Sequence, residues 1–145
     1  MEFINSNLLT LIVFSPAIFA VLMLIVPAKD RGLKYAALIF SLITTVLTIY
    51  LWIQYPTAAA DRAGFKFVPN IVPWLAQINS NYHVGVDGIS LAMILLTGIL
   101  TPLGVLISFR ITDRVRVYLA LFLLLETGML GVFASLDLII FFIFW

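Results

Sequence analysis

The sequence predicts an all-α protein, a polytopic transmembrane helix bundle with four full spans and the start of a fifth. Three observations carry that expectation. Of the 145 residues, 63% are hydrophobic and 10% are charged, against roughly 25% charged in ordinary globular domains. Mean hydropathy is +1.18. The charges are also segregated, leaving apolar runs close to the roughly 20 residues with which a helix crosses about 30 Å of hydrocarbon.

The elements follow in order. Met1 to Asn7 are expected to be an ordered or frayed end before the first charge-free run, Leu8 to Val26. The second run is Tyr35 to Tyr55, reached through the short segment AKDRGLK. Residues 56–88 form the one long connection. Pro56, Pro69 and Pro73, with several glycines, argue against a long helix there. The runs FKFV and YHVGV alternate weakly, which suggests one or two short strands lying on the membrane surface. Trp74 and Tyr82 would suit the headgroup region, where amphipathic rings concentrate.

The third span is Ile89 to Phe109 and the fourth Val117 to Leu136, separated by RITDRVR. A fifth run, Leu138 to Trp145, covers less than half a bilayer at about 1.5 Å per residue. The chain therefore reads as the front part of a longer protein. A helix ending at mid-membrane would leave its last carbonyls without water, so this run is expected to need a continuing chain or a partner helix. By itself the chain is expected to assemble poorly and not to transport.

The spans carry faces suited to packing. In the third, Thr97, Thr101, Gly104 and Ser108 lie on one side of the helix, which is expected to face protein. Pro102 lacks an N–H and crowds the Gly98 carbonyl, so a kink is expected and the freed carbonyl needs another donor. Pro16 should act likewise in the first span. In the fourth, Thr127, Gly131 and Ser135 recur every four residues, a spacing that permits close helix contact.

Six of the eight basic residues sit in the two short loops, namely Lys29, Arg31 and Lys34 in one and Arg110, Arg114 and Arg116 in the other. The positive-inside rule places both loops in the cytoplasm and the N-terminus outside. Glu2 and the absence of Lys or Arg before the first span argue against a cleaved signal peptide.

Several function classes are excluded by what the sequence contains. Without cysteine it forms no disulfide, thiolate-ligated iron–sulfur cluster or cysteine zinc site, and its single histidine, His83, cannot alone hold a haem or metal. No Gly-rich nucleotide loop follows a strand. The net charge of +1, without a basic cluster, makes nucleic acid an unsuitable partner. Any redox chemistry associated with the chain belongs to other subunits, and its own work is structure or transport.

Glu126 is the principal candidate residue, because it is the one charge within the fourth span. A charge at the bilayer centre costs roughly 2.5–3.5 kcal/mol on insertion scales, and intramembrane carboxylates commonly serve ion or proton pathways. The alternative is a permanently protonated carboxyl donating one interhelical hydrogen bond. No Lys or Arg lies at membrane depth, so a cationic partner would have to come from beyond Trp145 or another subunit. His83, Asp87 and Asp137 are weaker candidates for a proton or ion port. Asp87 and Asp137 immediately precede helices, where capping accounts for an acidic side chain, and His83 is read first as a surface residue bonded to its loop.

Two stretches carry a resemblance. YHVGVDGISLAMILLTGILTPLGVLISF, Tyr82 to Phe109, contains V-D-G-I-S and L-T-x-x-L-x-P, and ALFLLLETGMLGVFASLDLIIFFIFW, Ala120 to Trp145, contains G-V-F and ends in F-W. Together they resemble the N-terminal part of the antiporter-like, proton-pumping M-type subunits of bacterial respiratory complex I, NADH:quinone oxidoreductase. The resemblance implies a bacterial inner-membrane protein whose complete form has roughly fourteen spans, with two inverted repeats containing broken helices. It implies neighbouring antiporter-like subunits and lipid as partners, with NADH, FMN, iron–sulfur clusters and quinone held in other subunits. The essential glutamate of the family follows the Phe-Trp pair that here is Phe144 and Trp145, and its lysine partners lie further downstream. Glu126 is shared by many members of the family. Two other readings are a subunit of a multi-subunit Na⁺/H⁺ antiporter and a membrane scaffold that transports nothing.

Overall fold

The computed structural model describes the backbone of residues 2–69, 72–75, 77 and 80–145, and the side chains of these except residues 2–6, 72, 74 and 75. Five helices and one small hairpin make up the described chain. The helices are α1 Glu2–Ile25, α2 Asp30–Gln54, α3 Gly88–Ile107, α4 Val115–Ala134 and α5 Leu138–Phe144, with a 3₁₀ turn Ser108–Arg110 extending α3. Strands β1 Val72–Leu75 and β2 Ser80–Tyr82 pair antiparallel, with an irregularity between Pro73 and Leu75. Four of the helices are long and apolar enough to cross a membrane. The all-α bundle and its four spans agree with the sequence to within a few residues at most ends, although α1 begins at Glu2, well before Leu8.

Both prolines stay inside their helices because neighbouring hydroxyls replace the lost donor. Pro16 cannot bond the Ile12 carbonyl, and Ser15 Oγ donates to it at 3.2 Å. Pro102 cannot bond the Gly98 carbonyl, which accepts from Thr45 Oγ1 of α2 at 2.6 Å. The second bond crosses between helices, and Gly98 makes it reachable: a Cβ there would collide with the Thr48 side chain. The expected small-residue contact on α4 is made to α5, where the Phe144 ring occupies the space a Cβ on Gly131 would need. The seven-residue α5 is thereby packed onto α4.

Buried apolar residues divide into two clusters. One joins Leu8, Leu9, Ile12 and Val13 of α1 to Leu51, Leu91, Ile94, Leu130 and Ala134, roofed by Val84 and Val86 of the long connection. The other joins Ala20 and Met23 of α1 to Leu33, Ala37, Val105, Val115, Leu119, Ala120 and Leu123. They mark a hairpin end and a basic end of the bundle. At the basic end the two charged loops meet: Lys34 Nζ donates to the Phe109 carbonyl at 2.9 Å, and Arg116 reaches the Leu24 and Ala28 carbonyls at 3.4 and 3.3 Å. Arg114 turns the chain into α4 with a left-handed backbone at φ 44°.

The long connection closes the hairpin end. The strands fall at 72–75 and 80–82, so that of the YHVGV run only Tyr82 lies in a strand, paired with Val72, while the rest of that run and FKFV contribute isolated bridges, Ala60 to Lys66, Lys66 to Val86 and Val84 to Ser135. That is a correction to the expected strand positions. Val84 and Val86 are fully buried in the cluster beneath them, so tertiary burial governs this segment more than its alternation. Gly85 N–H donates to the Ala134 carbonyl at 2.9 Å, which satisfies the last carbonyl of α4, and beyond the helix Leu136 N–H donates to the His83 carbonyl at 3.0 Å. Tyr82 turns inward: its hydroxyl donates to Thr10 Oγ1 at 3.1 Å and its ring meets Phe14. Desolvation raises its pKa against the opposing Thr10 bond. The Trp74 side chain, expected at the headgroups, lies outside the described residues.

Candidate functional site

Between the two apolar clusters the bundle changes character. On α1 the buried residue between Val13 and Ala20 is Pro16. On α2, between Ala37 and Leu51, the buried residues are Ser41, Thr44 and Thr48. On α3, between Ile94 and Val105, they are Thr97, Gly98, Thr101 and Pro102. On α4, between Leu123 and Leu130, they are Glu126 and Thr127. Half-way through the bundle there is thus a layer of hydroxyl, glycine and proline residues around one carboxyl group, with apolar packing above and below.

Glu126 is 0% exposed. Neither of its carboxyl oxygens has a hydrogen-bond partner among the described residues. The Thr101 hydroxyl of α3 directs its proton to the Thr97 carbonyl at 2.9 Å. The other hydroxyls are committed in the same way: Ser41 to Leu38, Thr44 to Phe40, Thr48 to Thr45, Thr97 to Met93 and Thr127 to Leu123. Each hydroxyl keeps oxygen lone pairs for a further donor. The layer as it stands offers Glu126 acceptors and no donor. A protonated carboxyl can give its proton to such an oxygen, whereas an ionised one needs a hydroxyl to turn towards it.

The face Thr97, Thr101 and Ser108 is buried, as expected, and Gly104 packs against the Phe122 ring. Ser108 bonds the Tyr118 hydroxyl of α4 at 2.9 Å. The hydroxyls of α2 were not singled out from sequence. Ser41, Thr44 and Thr48 are spaced by three and four residues, the same signal that marks the α3 face.

The weaker candidates are not near this layer. Asp87 Oδ1 accepts from Ile89 N–H at 3.0 Å and Ser90 N–H at 2.7 Å, while Ser90 Oγ accepts from Asp87 N–H at 3.2 Å, a reciprocal capping box. The Ser90 hydroxyl and backbone bonds lower the Asp87 pKa. Asp137 Oδ1 accepts from Ile139 and Ile140 N–H at 2.9 and 3.2 Å and from Ser80 Oγ at 3.0 Å. Its Oδ2 accepts from Asn81 N–H at 3.3 Å. Desolvation pushes Asp137 up, but the bonds from Ile140, Ser80, Asn81 and Ile139 outweigh it and leave the carboxyl below its ordinary value. Asp137 therefore caps α5 and fastens the hairpin to it. His83 is half-buried in the segment that pairs with the end of α4.

Fold and site define a class: a polytopic membrane bundle whose spans enclose one carboxyl in a hydroxyl layer. No protein-family model matches the chain, but curated proteins do. It is 35% identical over 142 residues to NADH-ubiquinone oxidoreductase chain 4 of Marchantia polymorpha, covering 97% of this chain and 28% of that protein. It is 35% identical over 145 residues to NADH-quinone oxidoreductase subunit M of Rhodobacter capsulatus, covering 97% and 27%. NAD(P)H-quinone oxidoreductase chain 4 of Acaryochloris marina is 36% identical over 141 residues, covering 94% and 26%. The chain is therefore a homologue of the subunit M/chain 4 family, matching its N-terminal part. It spans about a quarter of the length of these relatives.

Proposed function

We propose that this chain acts as the N-terminal part of a proton-translocating membrane-arm subunit of an NADH:quinone oxidoreductase, in a bacterial inner membrane with the basic end in the cytoplasm. The observation that carries the proposal is Glu126, fully buried and unpartnered in the hydroxyl layer half-way through the bundle. A titratable group in that position can take up and release a proton where the apolar clusters on either side exclude water. The names of the relatives supply NADH and quinone; neighbours in a membrane arm, and FMN and iron–sulfur clusters held by other subunits, are part of the proposal through the family resemblance. In that assembly the driving reaction occurs elsewhere, and the contribution of this chain is to hold a proton at membrane depth and to pass it on. His83, Asp87 and Asp137 take no part in the proposed transfer.

The test is Glu126→Gln in the assembled complex, with quinone reduction and proton translocation measured together. The amide keeps the shape and removes the titration. Translocation per quinone reduced should fall, with the complex still assembled. An unchanged ratio would assign Glu126 to structure alone.

A further inference from the structure

The basic end of the bundle carries a charged pocket at the head of an apolar groove. We propose that the two form one binding site for an anionic glycerophospholipid of the leaflet on that side, with its phosphate in the pocket and an acyl chain along α2. The site goes beyond the proton-carrying reading of Glu126 and does not depend on it.

The pocket, of about 420 Å³, is lined by Asp30, Arg31, Lys34 and Tyr35 of α2 and by Phe109 and Thr112, which follow α3. Neither loop makes it alone. The bond from Lys34 to the Phe109 carbonyl and the edge-on packing of the Phe109 ring against Tyr35, with centroids 5.5 Å apart, hold the two loops together. Residues 27–35 and 108–116 bring six basic and two acidic side chains to this end of the bundle. In the pocket wall two cations stand against the one carboxylate of Asp30.

The donors of the pocket are uncommitted. Among the described residues the Arg31 guanidinium and the Tyr35 and Thr112 hydroxyls have no hydrogen-bond partner, and Lys34 spends its single bond on the Phe109 carbonyl. A guanidinium offers paired N–H groups that match two phosphate oxygens, and an ammonium adds a point charge beside them. Tyr35, 52% exposed, has the apolar ring and polar tip that suit the headgroup boundary. Basic pockets at that level take anionic headgroups.

Beyond the pocket the same face of α2 becomes wholly apolar. Arg31, Tyr35, Ile39, Leu42 and Val46 follow at intervals of four, four, three and four residues, and all are exposed. A groove of about 320 Å³ is lined by Ile39, Leu42, Ile43, Val46 and Leu47. From Tyr35 to Val46 the helix rises ~16 Å at about 1.5 Å per residue, close to the half of a roughly 30 Å hydrocarbon layer that one leaflet supplies. A face that is cationic at headgroup level and apolar through the depth of one leaflet matches a single phospholipid. A free phosphate would leave the groove empty.

The experiment is photolabelling of the assembled complex in phosphatidylcholine nanodiscs. They contain a small fraction of phosphatidylglycerol with a diazirine half-way along one acyl chain or, in parallel, phosphatidylcholine with the same chain, and mass spectrometry locates the labelled residues. Residues 39–47 should be labelled several-fold more by phosphatidylglycerol than by phosphatidylcholine. Arg31→Gln, at a guanidinium with no protein partner among the described residues, should bring the phosphatidylglycerol labelling down to the phosphatidylcholine level and leave the latter unchanged. Lys34→Gln should act in the same direction, and Arg62→Gln, in the long connection at the opposite end, should leave the preference intact. Equal labelling by the two lipids, or a preference that survives Arg31→Gln combined with Lys34→Gln, would overturn the site. A preference lost equally in Arg62→Gln would overturn it as well, since total charge rather than the pocket would then decide. Residues 39–47 untouched by either lipid would show that another subunit covers this face, which also defeats the proposal. Proton translocation plays no part in the readout, so failure of the lipid site and failure of the transport reading are distinguishable.

Discussion

At the residue scale, one position was plain in the linear order and its surroundings were not. Glu126 stands out as the charge within an apolar run, but only the packing of α2, α3 and α4 builds the buried hydroxyl layer at its level. The effect of Glu126→Gln on proton translocation is therefore the most direct check of the site. Asp87 supports a prediction of another kind. Removing its cap with Asp87→Ala should destabilise the protein by about 1 kcal/mol, a typical value for a lost N-cap. Because the Ser90 bonds lower the Asp87 pKa, its contribution is present above the unfolded-state pKa. It is lost as pH falls through the lower folded-state value. Hydrogen exchange at Ile89 and Ser90 should accelerate in the variant at neutral pH and converge with the wild type in acid. Equal exchange at neutral pH would show that the cap contributes nothing.

At the scale of elements, the prolines in α1 and α3 illustrate how a helix keeps a residue that cannot complete its ladder. Both exposed carbonyls were foreseeable from the positions of Pro16 and Pro102, and so was the need for a hydroxyl. Which hydroxyl answers depends on neighbours: Ser15 lies in the same turn, whereas Thr45 comes from another helix. Thr45→Val should leave the Gly98 carbonyl without its donor and cost about 1 kcal/mol, in the range for interhelical bonds in membranes. Gly98→Ala should cost more, about 1–3 kcal/mol, because the methyl group pushes Thr48 and separates α2 from α3. Reversible unfolding in mixed micelles measures both. Equal stability of Gly98→Ala and the wild type would mean that the α2–α3 approach is not limited by that residue.

At the scale of the whole molecule, the two basic loops meet at one end through Lys34, Phe109, Arg116 and Ala28, and the long connection closes the other. Single cysteines at Lys34 and Arg114 should be labelled from one side of the membrane and a cysteine at Ala59 from the other. The positive-inside rule assigns the first two to the cytoplasm. Labelling of all three from the same side in intact cells would contradict the bundle, and a reversed pattern would contradict only its orientation.

By itself the sequence determined the class, the four spans, the capping aspartates and the one intramembrane carboxylate, because hydropathy, helix-end chemistry and the cost of a buried charge act locally along the chain. The register of the hairpin, the inward turn of Tyr82 and the seating of Phe144 on Gly131 were decided by tertiary structure. So was the hydroxyl layer drawn from α2, α3 and α4. In each of these the deciding term is a contact between residues far apart in sequence: a buried valine outweighs weak strand alternation, and a hydroxyl becomes part of a site only when another helix brings a carboxyl to it.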